Sequence, residues 1–486
     1  MKMNRKFFRV ITLILVICTL NLAVFATEVT VPTTSDTVEI TTDVMQASTT
    51  NGYRTPDATL TYLGSEKLIE NVESAIVYEV GSDTLMYALN PDVPMDPASL
   101  VKILTALVAV EQGNIDDQVT VTQAVLDTVP YDAVSAELQD GEVISLKDLI
   151  HCMLAGSAND AAAVIAEHIS GDQASFVKEM NRYAQALGCK QTVFMNVHGL
   201  YHEQQLTTAR DMVRILDKAM ENELFCEFFG TVHYTVPATN KSADRELSTG
   251  NFLMNTDNLQ IYYDTRVVGG RTGVSQDGKR CLASAAKDGD MCMVSVVLGA
   301  EDLYAEDSSR VTIFGGYKET TTMLDAAFSG NKVVQVLHKG QALTQYAVES
   351  GNNVVVVSPV EDAWAVLPAE VQAADIAHRY QQLPQGMSAP IIKGSNIASV
   401  QLWYGSVCIA QTDLVAMNDV SAAQELNVQI SEEIADTGLP IGVTILLWVV
   451  GVPVAIVFAL RGIAIVRRFI RSRNIKRRRR ERRRSK

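Results

Sequence analysis

Pro97-Ala-Ser-Leu-Val-Lys-Ile-Leu-Thr-Ala-Leu-Val-Ala-Val110 is the stretch on which the reading of this 486-residue chain turns. A proline just ahead of the apolar run suits the first turn of a helix, where its missing N–H is no loss. From Leu100 to Val110 the run is apolar on nearly every face, so it predicts a helix over 100–110 buried at the centre of a domain. Ser99 and Lys102 stand out at its start. Three residues apart, they share one helix face, so the amine can reach the hydroxyl. A serine hydroxyl is a poor nucleophile without a base beside it, and lysine serves if burial or nearby positive charge leaves part of it neutral. The S-x-x-K pattern alone is weak, because Ser175, Ser284 and Ser329 begin three further matches.

Before this helix, 74–80 and 84–88 read as strands joined by Gly81-Ser82-Asp83, which has hairpin-turn chemistry. After it, helical patterns run over 146–169, 174–187 and 208–221, and strands return at 231–236, 267–269, 281–286 and 291–298. Strands, then a block of helices, then strands predict a layered α+β domain. From residue 331 the pattern changes to short alternating strands, at 353–357, 399–403 and 406–411, with glycine turns, which reads as a small β domain.

The ends carry a different signal. A basic start (Lys2, Arg5, Lys6, Arg9), an apolar run over 10–24 and the small residues Val24 and Ala26 have the layout of a secretory leader cleaved after Ala26. Residues 440–460 are apolar and uncharged, long enough to span a bilayer, and 467–486 hold 13 basic residues against Glu481 alone. Such a cluster stays in the cytoplasm, so the middle of the chain is expected to face outward. The formal charge is −15, and without the basic ends the remainder is more acidic still. That excludes nucleic acid as a partner and leaves any anionic ligand to locally arranged cations. Six cysteines after the leader match no CxxC or Cys/His zinc spacing, and their pairing stays open. His198 and His202 are four apart, but Gly199 between them argues for a loop; no metal and no cofactor are expected.

Two further polar elements complete the candidate site. Ser157-Ala158-Asn159 follows Gly156 and precedes the helical run 160–169. Ser157 can relay a proton from Lys102 and Asn159 can bond both Lys102 and a substrate amide; either is equally suited to be an ordinary N-cap. Gly269-Gly270-Arg271-Thr272-Gly273 ends a strand-like run, where glycines admit a substrate backbone and Arg271 and Thr272 offer a cation and a hydroxyl to a carboxylate.

In this order the three elements resemble the S-x-x-K, S-x-N and K-T-G motifs of penicillin-binding proteins and serine β-lactamases, and more closely the low-molecular-weight D-alanyl-D-alanine carboxypeptidases. Asn196-Val-His-Gly-Leu200, Thr208-Ala-Arg-Asp-Met212 and Val297-Leu-Gly-Ala300 extend the resemblance. It implies an α+β transpeptidase-like domain, an antiparallel sheet with a helical cluster, followed by the small β domain and the membrane helix. The expected organisation is leader 1–26, flexible spacer 27–64, catalytic domain 65–330, β domain 331–425, linker 426–439, membrane helix 440–460 and basic tail 461–486 in the cytoplasm.

The resemblance further implies that Ser99 attacks the penultimate D-alanine carbonyl of a peptidoglycan pentapeptide stem and Lys102 takes its proton. Ser157 and Asn159 then arrange transfer to the leaving D-alanine. Arg271, Thr272, Gly273 and Val274 bind substrate, the N–H groups of Ser99 and Val274 form the oxyanion hole, and β-lactams acylate the same serine. Arg271 stands where the family usually has lysine; it keeps the charge but changes the geometry and electrostatics that tune Lys102. No E-x-x-L-N element follows the second motif, which weakens a class A β-lactamase reading. A D,D-endopeptidase and a catalytically weak peptidoglycan-binding scaffold remain open alternatives.

Overall fold

The structure, a computed structural model, describes residues 57–422 except Thr59, Ser65, Asn258, 306–309 and 383–386. The expected leader, most of the spacer, the linker, the apolar segment 440–460 and the basic tail lie outside the described residues. Among the described residues no helix is long and apolar enough to cross a membrane.

The chain opens with a hairpin, β1 (Val72–Glu79) and β2 (Thr84–Leu89), followed by a single 3-10 turn, Ala98–Leu100. That turn runs directly into α1 (Val101–Gln112). A short pair, β3 (Gln118–Thr120) and β4 (Val143–Ser145), brackets α2 (Gln123–Leu126). Helices α3 (Leu146–Leu154), α4 (Asn159–Ser170), α5 (Gln173–Ala186), α6 (Ala209–Met220) and α7 (Glu223–Phe229) follow. After the hairpin β5 (His233–Val236) and β6 (Arg245–Ser248) come three long strands, β7 (Val267–Val274), β8 (Arg280–Asp288) and β9 (Met291–Ala300). A two-stranded pair, β10 (Leu303–Tyr304) and β11 (Val311–Ile313), leads to α8 (Gly315–Phe328).

The first and last strands of this part combine into one antiparallel sheet of order β2-β1-β9-β8-β7, which leaves β7 at an edge. Both faces of this sheet are covered. Along β1, Ile76 and Tyr78 join the core made with α1 and the middle helices, while Ala75 and Val77 join the core made with α8. Double coverage explains why β9 is buried at nearly every position rather than alternating with polar residues. As expected from its composition, α1 is the central helix: every residue from Val101 to Ala109 is buried. The helical stretch 146–169 is broken in two, because Gly156 and Ser157 interrupt it and Ser157 adopts a left-handed φ of 63°. Three helices carried no clear sequence signal, α2, α7 and α8. The first two are only four and seven residues long, and the third is a small-residue and threonine helix with a weakly apolar face.

The contacts divide the described chain into two units, 57–338 with Asp362–Tyr380 and Val400–Thr412, and Lys339–Glu361 with Gln381–Ser399 and 413–422. In the first, β12 (Asn331–Leu337) pairs with a later strand, β15 (Ala363–Pro368), and Val333 and Val366 pack on the core under α8. In the second, β13 (Thr344–Ala347) and β14 (Val354–Pro359) form a hairpin. Strands β16 (Ile376–Gln382), β17 (Asn396–Tyr404) and β18 (Val407–Ala416) complete the all-β C-terminal region that the short alternating runs predicted. All six described cysteines are free thiols.

Candidate active site

The turn that carries Ser99 is held from two sides by glycines. Gly199, at φ 86°, comes so close that an added Cβ would stand 2.0 Å from the Ala98 carbonyl oxygen. On the other side, a Cβ at Gly273 would stand 2.9 Å from the Ser99 nitrogen. Any larger residue at either place displaces the nucleophile.

Lys102, one turn along α1, has no exposed surface. Its Nζ lies 3.3 Å from Ser99 Oγ and donates to Asn159 Oδ1 at 2.7 Å and to the backbone oxygen of His198. Burial first, and the Arg271 guanidinium second, hold its pKa well below that of an ordinary lysine; Asp160 opposes them. In the neutral amine the two N–H bonds are taken by Asn159 and His198, so the lone pair is left for the Ser99 hydroxyl proton. The serine is therefore matched to a base that is both desolvated and oriented.

Ser157 and Asn159 lie where α3 gives way to α4. Asn159 is the first residue of α4, and the capping position belongs to Ala158, which has no side-chain cap. Neither polar side chain serves the helix end. The Asn159 amide spans from Lys102 to the Val134 carbonyl, to which both its backbone N–H and Nδ2 donate, at 2.8 and 2.9 Å. Ser157 Oγ accepts from Arg271 Nη2.

Arg271 is 4% exposed and pairs with no carboxylate among the described residues. Besides Ser157, it donates through Nη1 to the Leu154 carbonyl at 2.8 Å and through Nε to the Ser99 carbonyl at 3.4 Å. Burial pushes its pKa down to about 10. The sequence expectation set this guanidinium against a substrate carboxylate; in the structure it is turned inward, behind the nucleophile, with protein acceptors on all three nitrogens. Thr272, Gly273 and Val274 line a cleft of about 560 Å³ together with Ser99, Ser157 and Asn159, whereas Lys102 and Arg271 lie behind its wall.

Three contributions to the site were not foreseen. The His198 carbonyl is a backbone acceptor and so has no residue signature. The His198 ring, in the loop that Gly199 marks, accepts the Leu200 N–H through Nδ1. Asp160, next to Asn159, receives Ser135 Oγ at 2.6 Å and the N–H groups of Ala136 and Leu138 at 2.9 and 3.1 Å, fixing the loop whose Val134 holds Asn159.

A serine activated by a buried lysine, beside an amide and a strand edge that can receive a peptide backbone, defines an acyl-transfer site of the S-x-x-K class. Residues 65–302 match the peptidase S11 family, D-alanyl-D-alanine carboxypeptidase, and residues 332–422 match the C-terminal domain of penicillin-binding protein 5. The chain is 30% identical over 242 residues to a D-alanyl-D-alanine carboxypeptidase of Streptomyces sp. strain K15, covering 48% of this chain and 82% of that protein. It is 29% identical over 242 residues to a D-alanyl-D-alanine endopeptidase of Pseudomonas aeruginosa, covering 49% of this chain and 75% of that protein. The crystal structure of penicillin binding protein 5 from Haemophilus influenzae superposes with a TM-score of 0.63 at 27% identity, over 74% of this chain and 100% of that one. The chain belongs to the peptidase S11 family of D-alanyl-D-alanine carboxypeptidases.

Proposed function

We propose that this chain removes the terminal D-alanine from peptidoglycan stem peptides through an acyl-enzyme on Ser99. The Ser99 hydroxyl adds to the carbonyl carbon of the penultimate D-alanine as Lys102 takes its proton. The resulting oxyanion is met by the backbone N–H groups of Ser99 and Val274, donors of a kind that contribute about 3 kcal/mol each. Collapse breaks the C–N bond, and the proton passes to the departing amine by way of Ser157. Water, deprotonated by Lys102, then releases the shortened peptide and restores the hydroxyl. A β-lactam enters at the first step, and its ring-opened ester persists.

One observation carries this reading: Lys102 is wholly buried, its hydrogens fixed by Asn159 and His198, with the Ser99 oxygen at 3.3 Å. Labelling with a fluorescent penicillin tests it. Wild type is expected to form a stable adduct and Ser99→Ala none; an unlabelled wild type supports the scaffold alternative instead.

Likeness to an endopeptidase keeps that second activity in play, and products separate the two. Free D-alanine from a pentapeptide marks the carboxypeptidase, and monomers from cross-linked dimers mark the endopeptidase. The apolar segment 440–460 and the basic run after it support an enzyme held at the outer face of the cell membrane after removal of its leader, with the tail in the cytoplasm.

A further inference from the structure

An enzyme that cuts next to a free C-terminus needs a cation for the terminal carboxylate, and Arg271 is committed elsewhere. The pairing of β7 with β8 sets Val274 opposite Arg280 and Thr272 opposite Leu282. Side chains alternate along a strand, so Thr272, Val274, Arg280 and Leu282 share one face and Arg271, Gly273 and Cys281 share the other. This alternation sends Arg271 behind Ser99 and Ser157 and puts Arg280 on the same face as Thr272. Both Thr272 and Arg280 line the cleft into which Ser99 opens, and Arg280 is the sole lysine or arginine among the described residues lining it.

Arg280 is also held in place. Its Nε donates to Asp302 Oδ2 at 2.8 Å; that carboxylate is 5% exposed, and its other oxygen accepts the Gly315 N–H at 3.2 Å. The guanidinium carbon lies 5.1 Å from the centre of the Phe314 ring. A Cβ at Gly316 would stand 3.3 Å from Arg280 Cβ, so a side chain there would crowd the arginine. With Asp302 using Nε, neither Nη group has an acceptor among the described residues, and the side chain keeps 33% of its surface exposed. An arginine gripped at Nε and held over an aromatic ring presents its two Nη groups as a fork, the geometry that a carboxylate accepts bidentately.

We propose that Arg280, together with the Thr272 hydroxyl, holds the α-carboxylate of the C-terminal residue, and that Arg271 is a positioning residue for Ser157 and the nucleophile's turn. The inference rests on the carboxypeptidase reading for the identity of the ligand, so its test separates binding from cleavage. Full-length Ser99→Ala protein, which cannot be acylated, is titrated with N-acetyl-D-Ala-D-Ala and with the corresponding C-terminal amide. The acid is expected to bind about 10 to 100 times more tightly than the amide. In Ser99→Ala/Arg280→Gln that preference should vanish through loss of acid binding alone, and Ser99→Ala/Arg280→Lys should recover part of it. In the hydrolytic protein, Arg280→Gln should raise KM for the peptide acid far more than it lowers kcat.

An acid preference that survives Arg280→Gln, or equal loss for acid and amide, overturns the proposal. So does a preference abolished by Arg271→Gln and untouched at Arg280. A wild type that releases no D-alanine, in a protein whose acid preference still depends on Arg280, overturns the proposed activity and leaves the carboxylate site standing.

Discussion

Lys102 must be free of its proton before it can take one from Ser99, and an ordinary lysine at neutral pH is not. Against the opposing charge of Asp160, burial disfavours its ammonium, and Arg271, which pairs with no carboxylate among the described residues, adds a like charge. Both act in one direction, toward the neutral amine. Replacing Arg271 by glutamine removes the second. The Lys102 pKa then rises, so the limb on which acylation increases with pH moves to higher pH, and kcat/KM at neutral pH falls at least about tenfold. Penicillin acylation rates measured across pH check this; an unmoved limb in Arg271→Gln means that burial alone tunes the lysine. The i and i+3 relation of Ser99 and Lys102 was legible in the sequence because it is local helical geometry. The inward turn of Arg271 was not, since a residue's face in a strand depends on which partner the strand finds.

At the scale of elements, the site is a junction of the turn before α1, the break between α3 and α4, the loop 196–200 and the edge strand β7. The second motif was readable as two polar residues flanking an alanine but not as a helix break held open by a left-handed serine. What keeps that break in register is Asp160. Its carboxylate gathers Ser135, Ala136 and Leu138, and the same loop offers the Val134 oxygen to Asn159. In Asp160→Asn one acceptor becomes a donor facing buried N–H groups, which costs about 2–3 kcal/mol. Denaturant unfolding should show that loss. Penicillin acylation should slow in step, because a loosened Val134 frees Asn159 from Lys102; full acylation in a destabilised protein would show that the loop is only structural.

The glycines of the third motif are also explained at this scale. The sequence suggested that they admit substrate; Gly273 has a prior duty, letting β7 approach the Ser99 turn. The strands and helices with strong periodicity, β1, β2, α1, α5, α6, β8 and β9, were recognisable within a few residues. Helices α7 and α8 form because the sheet and the helical cluster supply apolar surfaces for Phe225, Phe228, Met323 and Leu324, which is a tertiary cause.

For the whole molecule, the N-terminal and C-terminal parts of the catalytic region are joined through one sheet, since β1 pairs with its hairpin partner β2 on one side and with the distant β9 on the other. The proposed membrane attachment rests on the apolar segment 440–460. Deleting 440–486 should move the protein from the membrane fraction to the soluble fraction of the cell envelope or medium, with penicillin labelling per molecule unchanged. Fractionation followed by labelling tests this, and a truncated protein that stays with the membrane would show that anchoring lies elsewhere.

Composition and local spacing by themselves determined that the chain has a buried central helix opening on a serine and a lysine, and an α+β part followed by an all-β part. These properties depend on neighbours within a few residues, where helix and strand geometry is fixed. Only the tertiary structure decided that Asn159 and a backbone carbonyl at His198 orient the lysine, that Arg271 is buried as its electrostatic companion, and that Arg280 is the cation facing the cleft. Those outcomes depend on strand pairing and on contacts between residues 57 to 172 positions apart, and sequence spacing carries no information on which way a side chain faces once such contacts form.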